Sequence, residues 1–322
     1  MRTSTSRLTA LVLALASLAC SSAPHGTPAK KVRVFILAGQ SNMEGPAILD
    51  LDPAWDPQDY NGGKGSLEWY MLDPAKAKQY AHLKDARGKW AVREDVRVSY
   101  QLEDGPLKEG PLAPGFTPYD EHHFGPELEL GHVLGDAFED PVLLVKTAWG
   151  GKSLYVDFRP PSSGGTVGPY YTRMIAEVRA ALARLRPHDC EIAGFVWYQG
   201  WNDGCDPEHA VPEYEQNLVN LIHDVRAEFD SPKLPVVIGE LTGPWVQAEG
   251  EWDALRKAQA AAASRPEFAG TVVFVPTHDF VRKPEDSPNP EHAHHEFGNG
   301  ETYYLVGHAL GEALKKLCGN SR

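Results

Sequence analysis

Residues 32–43 read Val32-Arg33-Val34-Phe35-Ile36-Leu37-Ala38-Gly39-Gln40-Ser41-Asn42-Met43. The run over 32–38 is short, apolar and β-branched, so it predicts one buried strand, and it breaks at once into glycine and polar residues. Ligands of open parallel sheets bind beyond the carboxyl ends of the strands, so Gln40, Ser41 and Asn42 stand where chemistry is expected. Four similar runs follow at 141–146, 192–198, 235–241 and 271–276. Between them lie helical stripes. Leu218, Leu221, Ile222, Val225 and Phe229 define one apolar face, as do Met174, Ile175, Val178, Leu182 and Leu185. The segment 302–317 repeats the pattern through Leu305, Leu310 and Leu314. Strands alternating with helices predict right-handed βαβ units, hence an α/β fold: a three-layer α/β/α sandwich on a five-stranded parallel sheet.

Composition narrows the function. The 322 residues carry a net charge of −13, which repels phosphate backbones and anionic lipid, so nucleic acid is not an expected partner. Arg2 and Arg7 precede the apolar run 8–19, which is too short to span a bilayer and predicts a signal peptide over 1–19. Ser17 and Ala19 suit cleavage before Cys20, and Cys20 itself offers a bacterial lipid anchor. The expectation is an exported protein, periplasmic, extracellular or lipid-anchored, with no transmembrane segment in the mature chain. Residues 20–31 read as a linker and 32–318 as a single domain, with a loop-rich insertion over 44–125 that is dense in Gly, Pro, Asp and Trp. Residues 159–168 form a second irregular loop. Cys190, Cys205 and Cys318 leave at least one thiol unpaired, and a Cys190–Cys205 bridge is open on spacing.

The residues that follow the strands are unusually polar. Trp149-Gly150-Gly151-Lys152-Ser153 follows the second strand, Gln199-Gly200-Trp201-Asn202-Asp203 the third, and His292-Ala293-His294-His295-Glu296-Phe297-Gly298 lies beyond the fifth. These are the parts of an acyl-transfer site: a hydroxyl, a base to take its proton, and N–H donors for the oxyanion. Ser41 would be the nucleophile, at the start of a helix whose N-terminus favours negative charge. Its own N–H, those of Gly150 and Gly151, and the amide of Gln199 or Asn202 would form the oxyanion hole, and His295 or His294 would be the base.

In this order the blocks resemble the SGNH hydrolase superfamily, in the form of sialate O-acetylesterase-like proteins and the acetylxylan esterases of carbohydrate esterase family six. Gly39-Gln40-Ser41-Asn42-Met43 is similar to the first motif, Trp149-Gly150-Gly151 to the glycine block, the stretch from Trp197 to Asp203 to the block that supplies an oxyanion-hole amide, and His295-Glu296-Phe297-Gly298 to the histidine block. The resemblance implies a flavodoxin-like SGNH hydrolase fold, Ser41 and His295 as catalytic residues, an acylated carbohydrate as substrate and no cofactor. The family often carries aspartate three residues before its histidine, but this chain has His292 there. Glu291, Asp286 or Asp279 would have to orient the imidazole, or a backbone carbonyl would. Relatives commonly have Glu-Ser where this chain has Trp201-Asn202, which leaves both Gln199 and Asn202 as oxyanion donors.

Alternative readings meet specific obstacles. The HExxH zinc signature fails because Asn299 stands four residues after His295, and a P-loop fails because Lys146 stands where its first glycine belongs. Asp203 and Asp206 do not require a metal ion. Lys152 and Arg159 read as solvated charges. Trp55, Trp69, Trp90 and Trp201 are either sugar platforms or packing anchors. A carbohydrate-binding protein that kept the scaffold and lost catalysis is the rival from another class.

Overall fold

The protein is described by a computed structural model covering residues 30–52, 54–55, 59–185, 189–241, 243 and 249–319. The expected signal peptide, Cys20 and nearly all of the linker lie outside the described residues. The strands are β1 (Val32–Gly39), β2 (Ala47–Ile48), β3 (Arg93–Gln101), β4 (Leu107–Leu112), β5 (His123–Phe124), β6 (Val142–Ala148), β7 (Cys190–Tyr198), β8 (Val236–Gly239) and β9 (Val272–Val275). Seven of them form one sheet in the order β4-β3-β6-β1-β7-β8-β9, while β2 and β5 pair separately. The sheet is parallel except for the antiparallel pair β3–β4. All five expected strands are present, in the order second, first, third, fourth, fifth. Chain direction across the sheet therefore reverses beside β1, at the kind of switch point where such sheets open a crevice.

The helices are α1 (Ser41–Glu44), α2 (Leu67–Met71), α3 (Ala77–Tyr80), α4 (Glu127–Ala137), α5 (Pro169–Arg184), α6 (Trp201–Gly204), α7 (Ala210–Glu228), α8 (Glu251–Ala263) and α9 (Gly300–Gly319). Strand alternation splits the core in two. Phe35 and Leu37 of β1 pack on one face with α4 and α9, through Leu130, Leu134, Tyr303 and Leu310. Val34, Ile36 and Ala38 face the other way, against Met174 and Val178 of α5, Leu218 and Ile222 of α7, and Leu255 of α8.

Two expectations are corrected. The sheet has seven strands, not five, because the 44–125 insertion supplies β3 and β4 and buries Leu67, Tyr80, Val96, Val98 and Leu112 in the α4/α9 side of the core. Its strands escape notice in the sequence because Arg93-Glu94-Asp95 open β3 with charge, ahead of its pairing with β6 from Val96 on, and Gly110-Pro111 fall in β4, where the sheet edge tolerates them. The Cys190–Cys205 bridge is also absent: both thiols are free, as is that of Cys318. Cys190 begins β7 and Cys205 follows α6 beyond its other end. Nine strand residues at about 3.3 Å each exceed disulfide reach several times over.

Beneath the site, Lys146 of β6 is fully buried. Its ammonium donates to the carbonyls of Glu44 at 2.8 Å and Phe116 at 2.6 Å and to Glu127 Oε2 at 2.8 Å. This single cation thus ties the end of α1 to the insertion and to α4. Lys146→Met is expected to cost about 3–5 kcal/mol, because it leaves the Glu127 carboxylate buried and uncompensated. Urea denaturation measures it, and a loss below about 1 kcal/mol would contradict the assigned role.

Candidate active site

Ser41 opens α1, with Gln40 as the preceding cap residue. The helix is a single turn of four residues, so its dipole adds less at Ser41 than a full helix would. Gln40, which the sequence reading left without a role, fastens the first block to the third. Its Oε1 accepts from the Gly200 N–H at 3.1 Å, and its Nε2 donates to Asn202 Oδ1 at 3.3 Å. The glycine block is drawn to the same place, with the Trp149 N–H donating to the Gly39 carbonyl at 3.3 Å. A Cβ on Gly150 would lie 3.0 Å from Glu44 Oε2 and 3.9 Å from Ser41 Cβ, so a larger residue would press on the Glu44 carboxylate beside the serine. Gly151 has φ 71°, a conformation that favours glycine.

Asp203 fixes how the second and third blocks meet. It is fully buried and accepts from the N–H groups of Leu154 at 2.8 Å and Tyr155 at 2.9 Å, and from Gln199 Nε2 at 2.6 Å. Burial pushes its carboxyl up to about 6, against the opposing pull of those three donors. Gln199 is also fully buried, and its second amide proton goes to the Lys152 carbonyl at 2.9 Å. Both N–H groups of Gln199 are therefore engaged in holding loops together. Asn202 is only partly buried, and its oxygen is the atom fixed by Gln40.

The histidine block reaches the first block through α9. The buried Tyr303 hydroxyl lies 2.6 Å from Asn42 Oδ1 and 3.1 Å from the His295 carbonyl, sharing its one proton between them. The 293–298 segment packs against α1. His295 is flanked by Tyr119 at 6.5 Å and His294 at 4.1 Å between ring centroids, while His294 also faces Trp201 at 5.6 Å. Burial, reinforced by the charges of His294 and His292, lowers His295 to about 3, so its imidazole is neutral over the physiological range.

Among the described residues no carboxylate hydrogen-bonds to the His295 ring. Asp286 pairs with Lys64 at 2.7 Å, Asp279 is 88% exposed with its nearest imidazole that of His278 at 3.8 Å, and Glu291 is exposed. Beyond the ends of β8 and β9 a different histidine, His278, does hold a carboxylate, its Nδ1 lying 2.7 Å from Glu240 Oε2. Lys152 and Arg159, read as solvated, are instead paired with Glu103 at 2.9 Å and Glu213 at 3.1 Å. Of the four tryptophans, Trp201 stands at the site, tilted against Trp252 with ring centroids 4.8 Å apart. Trp55 packs on Tyr60 at 4.4 Å, and Trp90 is covered by Lys84 and bonded to Asp50.

The first, second, third and histidine blocks thus meet along one polar rim at the switch point of a mostly parallel α/β sheet. The family profile described as carbohydrate esterase, sialic acid-specific acetylesterase matches residues 31–302, and the chain belongs to that family. It is accordingly a carbohydrate O-acetylesterase. Solved structures share the fold. A protein of Arabidopsis thaliana aligns with TM-score 0.57 at 19% identity, over 88% of this chain and 98% of its own. A carbohydrate acetylesterase of Xanthomonas citri aligns with TM-score 0.54 at 18% identity, over 89% of this chain and 56% of its own. No curated protein matches the sequence.

Proposed function

We propose that the chain is an exported serine esterase that removes acetyl groups from carbohydrates, built as one flavodoxin-like SGNH hydrolase domain over 32–318. In this reading 1–19 is the export signal and Cys20 a lipid anchor. Among the described residues no helix is long and apolar enough to cross a membrane. The observation that carries the mechanism is the Tyr303 hydroxyl, which joins the residue after Ser41 to the backbone of His295.

His295 takes the proton from Ser41 Oγ as the oxygen bonds to the ester carbonyl carbon, and the carbonyl electron pair moves onto its oxygen. The N–H groups of Ser41 and Gly151, with the Asn202 amide, hold that oxyanion, while the Gly150 N–H is directed at the Glu44 carboxylate. Asn202 takes this role in preference to Gln199, whose two amide protons are already given to Lys152 and Asp203. Collapse breaks the bond to the sugar oxygen, which leaves with the proton held on His295. Water, deprotonated by the same imidazole, then releases acetate from Ser41. With no acid on the ring among the described residues, the backbone ties of His295 to His292 and Tyr303 set its position.

A bare imidazole also suits the rival reading, a binding module on a hydrolase scaffold. Acetate release from a panel of acetylated polysaccharides in the presence of EDTA separates the two. The esterase reading expects release far above that of Ser41→Ala, and release equal to that background would leave the binding module.

A further inference from the structure

The segments that leave the carboxyl ends of the parallel strands β1, β3 and β6–β9 are 40–46, 102–106, 149–168, 199–209, 240–256 and 276–299. Over all of them the sequence supplies only five lysines and arginines: Lys152, Arg159, Arg256, Arg282 and Lys283. Each faces a carboxylate of the protein itself. Lys152 meets Glu103 at 2.9 Å, Arg159 meets Glu213 at 3.1 Å, Arg282 meets Glu301 at 2.7 Å, and Arg256 faces Glu240 at 3.9 Å. Lys283, paired loosely with Glu285 at 4.0 Å, is out in solvent. The same segments bury the acids Glu44, Asp203, Glu240 and Glu296. An anionic sugar entering here finds its cations already neutralised and acidic groups around it, while a bidentate arginine is the usual means of holding a carboxylate. The partly buried Trp201, next to Asn202 and beside Trp252 and His294, puts an uncharged aromatic group at the rim instead.

We infer that the sugar carrying the ester is neutral, and that a sugar bearing a carboxylate, as sialic acid does, is discriminated against. This rests on the esterase reading above and narrows its substrate class. Lys152 directly follows the glycine turn, so it is the cation whose release would most change the rim.

The test compares kcat/KM for three esters at low ionic strength: p-nitrophenyl acetate, an O-acetylated sialic acid glycoside, and the same glycoside with its carboxylate converted to the carboxamide. The carboxamide is expected to react at least about tenfold faster than the carboxylate. Raising the salt concentration should narrow that ratio, and Glu103→Gln, which frees Lys152, should narrow it several-fold without changing the rate on p-nitrophenyl acetate. Equal rates, or a faster carboxylate, would overturn the inference while leaving the esterase reading intact. A ratio that neither salt nor Glu103→Gln alters would overturn its electrostatic basis, and the salt series serves alone if the variant does not fold. Absence of Ser41-dependent hydrolysis of all three would instead overturn the esterase reading.

Discussion

Ser41→Ala is expected to lower kcat/KM for p-nitrophenyl acetate by about 10³-fold or more, leaving only the background that oxyanion donors and binding supply. The fold should hardly notice. It is the Ser41 carbonyl that accepts the Gly45 N–H, and the cap position belongs to Gln40, so alanine fits the first residue of α1. Parallel thermal melts separate the two effects: a Tm within a few degrees of wild type with turnover lost assigns the loss to chemistry. Retained turnover would remove Ser41 as nucleophile.

His295→Ala is expected to cost a similar factor, about 10³, and His294→Ala less than about tenfold, since it is the His295 backbone that Tyr303 joins to the serine block. The pH dependence gives the choice a second readout. The base must be neutral, and burial together with His294 and His292 lowers His295 to about 3. The acid limb of kcat/KM therefore falls well below the usual histidine range near 6.5, and activity persists at pH 5. Removing His294 removes one of the charges that lower His295, so the limb should move upward in His294→Ala. Stability carries the same sign. An unfolded chain binds the proton that folded His295 refuses, so this contribution is full above about pH 6.5 and is lost as pH falls toward 3. An acid limb near 6.5 that disappears with His294 would assign the base to His294.

What could be read from the sequence was what depends on local pattern. Five apolar runs, four of them followed by polar clusters, identified the central strands and the rim where the site lies, because a strand buried on both faces writes an uninterrupted signal. The strands β3 and β4 wrote none: β3 opens with three charged residues, and the edge strand β4 carries Gly110-Pro111. The choice between Gln199 and Asn202 was equally illegible. It depends on which amide is used up by Lys152 and Asp203, and those partners lie across loops that only the tertiary fold brings together. The same holds for Gln40 and Tyr303, whose partners are 160 and 261 residues away in sequence. A fully buried Lys146 has no signature at all in an otherwise apolar strand.

A mechanism-based label tests most directly whether the serine and histidine blocks act as one site. Treating the protein with diethyl p-nitrophenyl phosphate and mapping the adduct by peptide mass spectrometry should show a single diethylphosphoryl group on Ser41, formed far more slowly in His295→Ala. Undiminished labelling of Ser41 in that variant, or phosphorylation of a different residue with Ser41 untouched, would contradict the account.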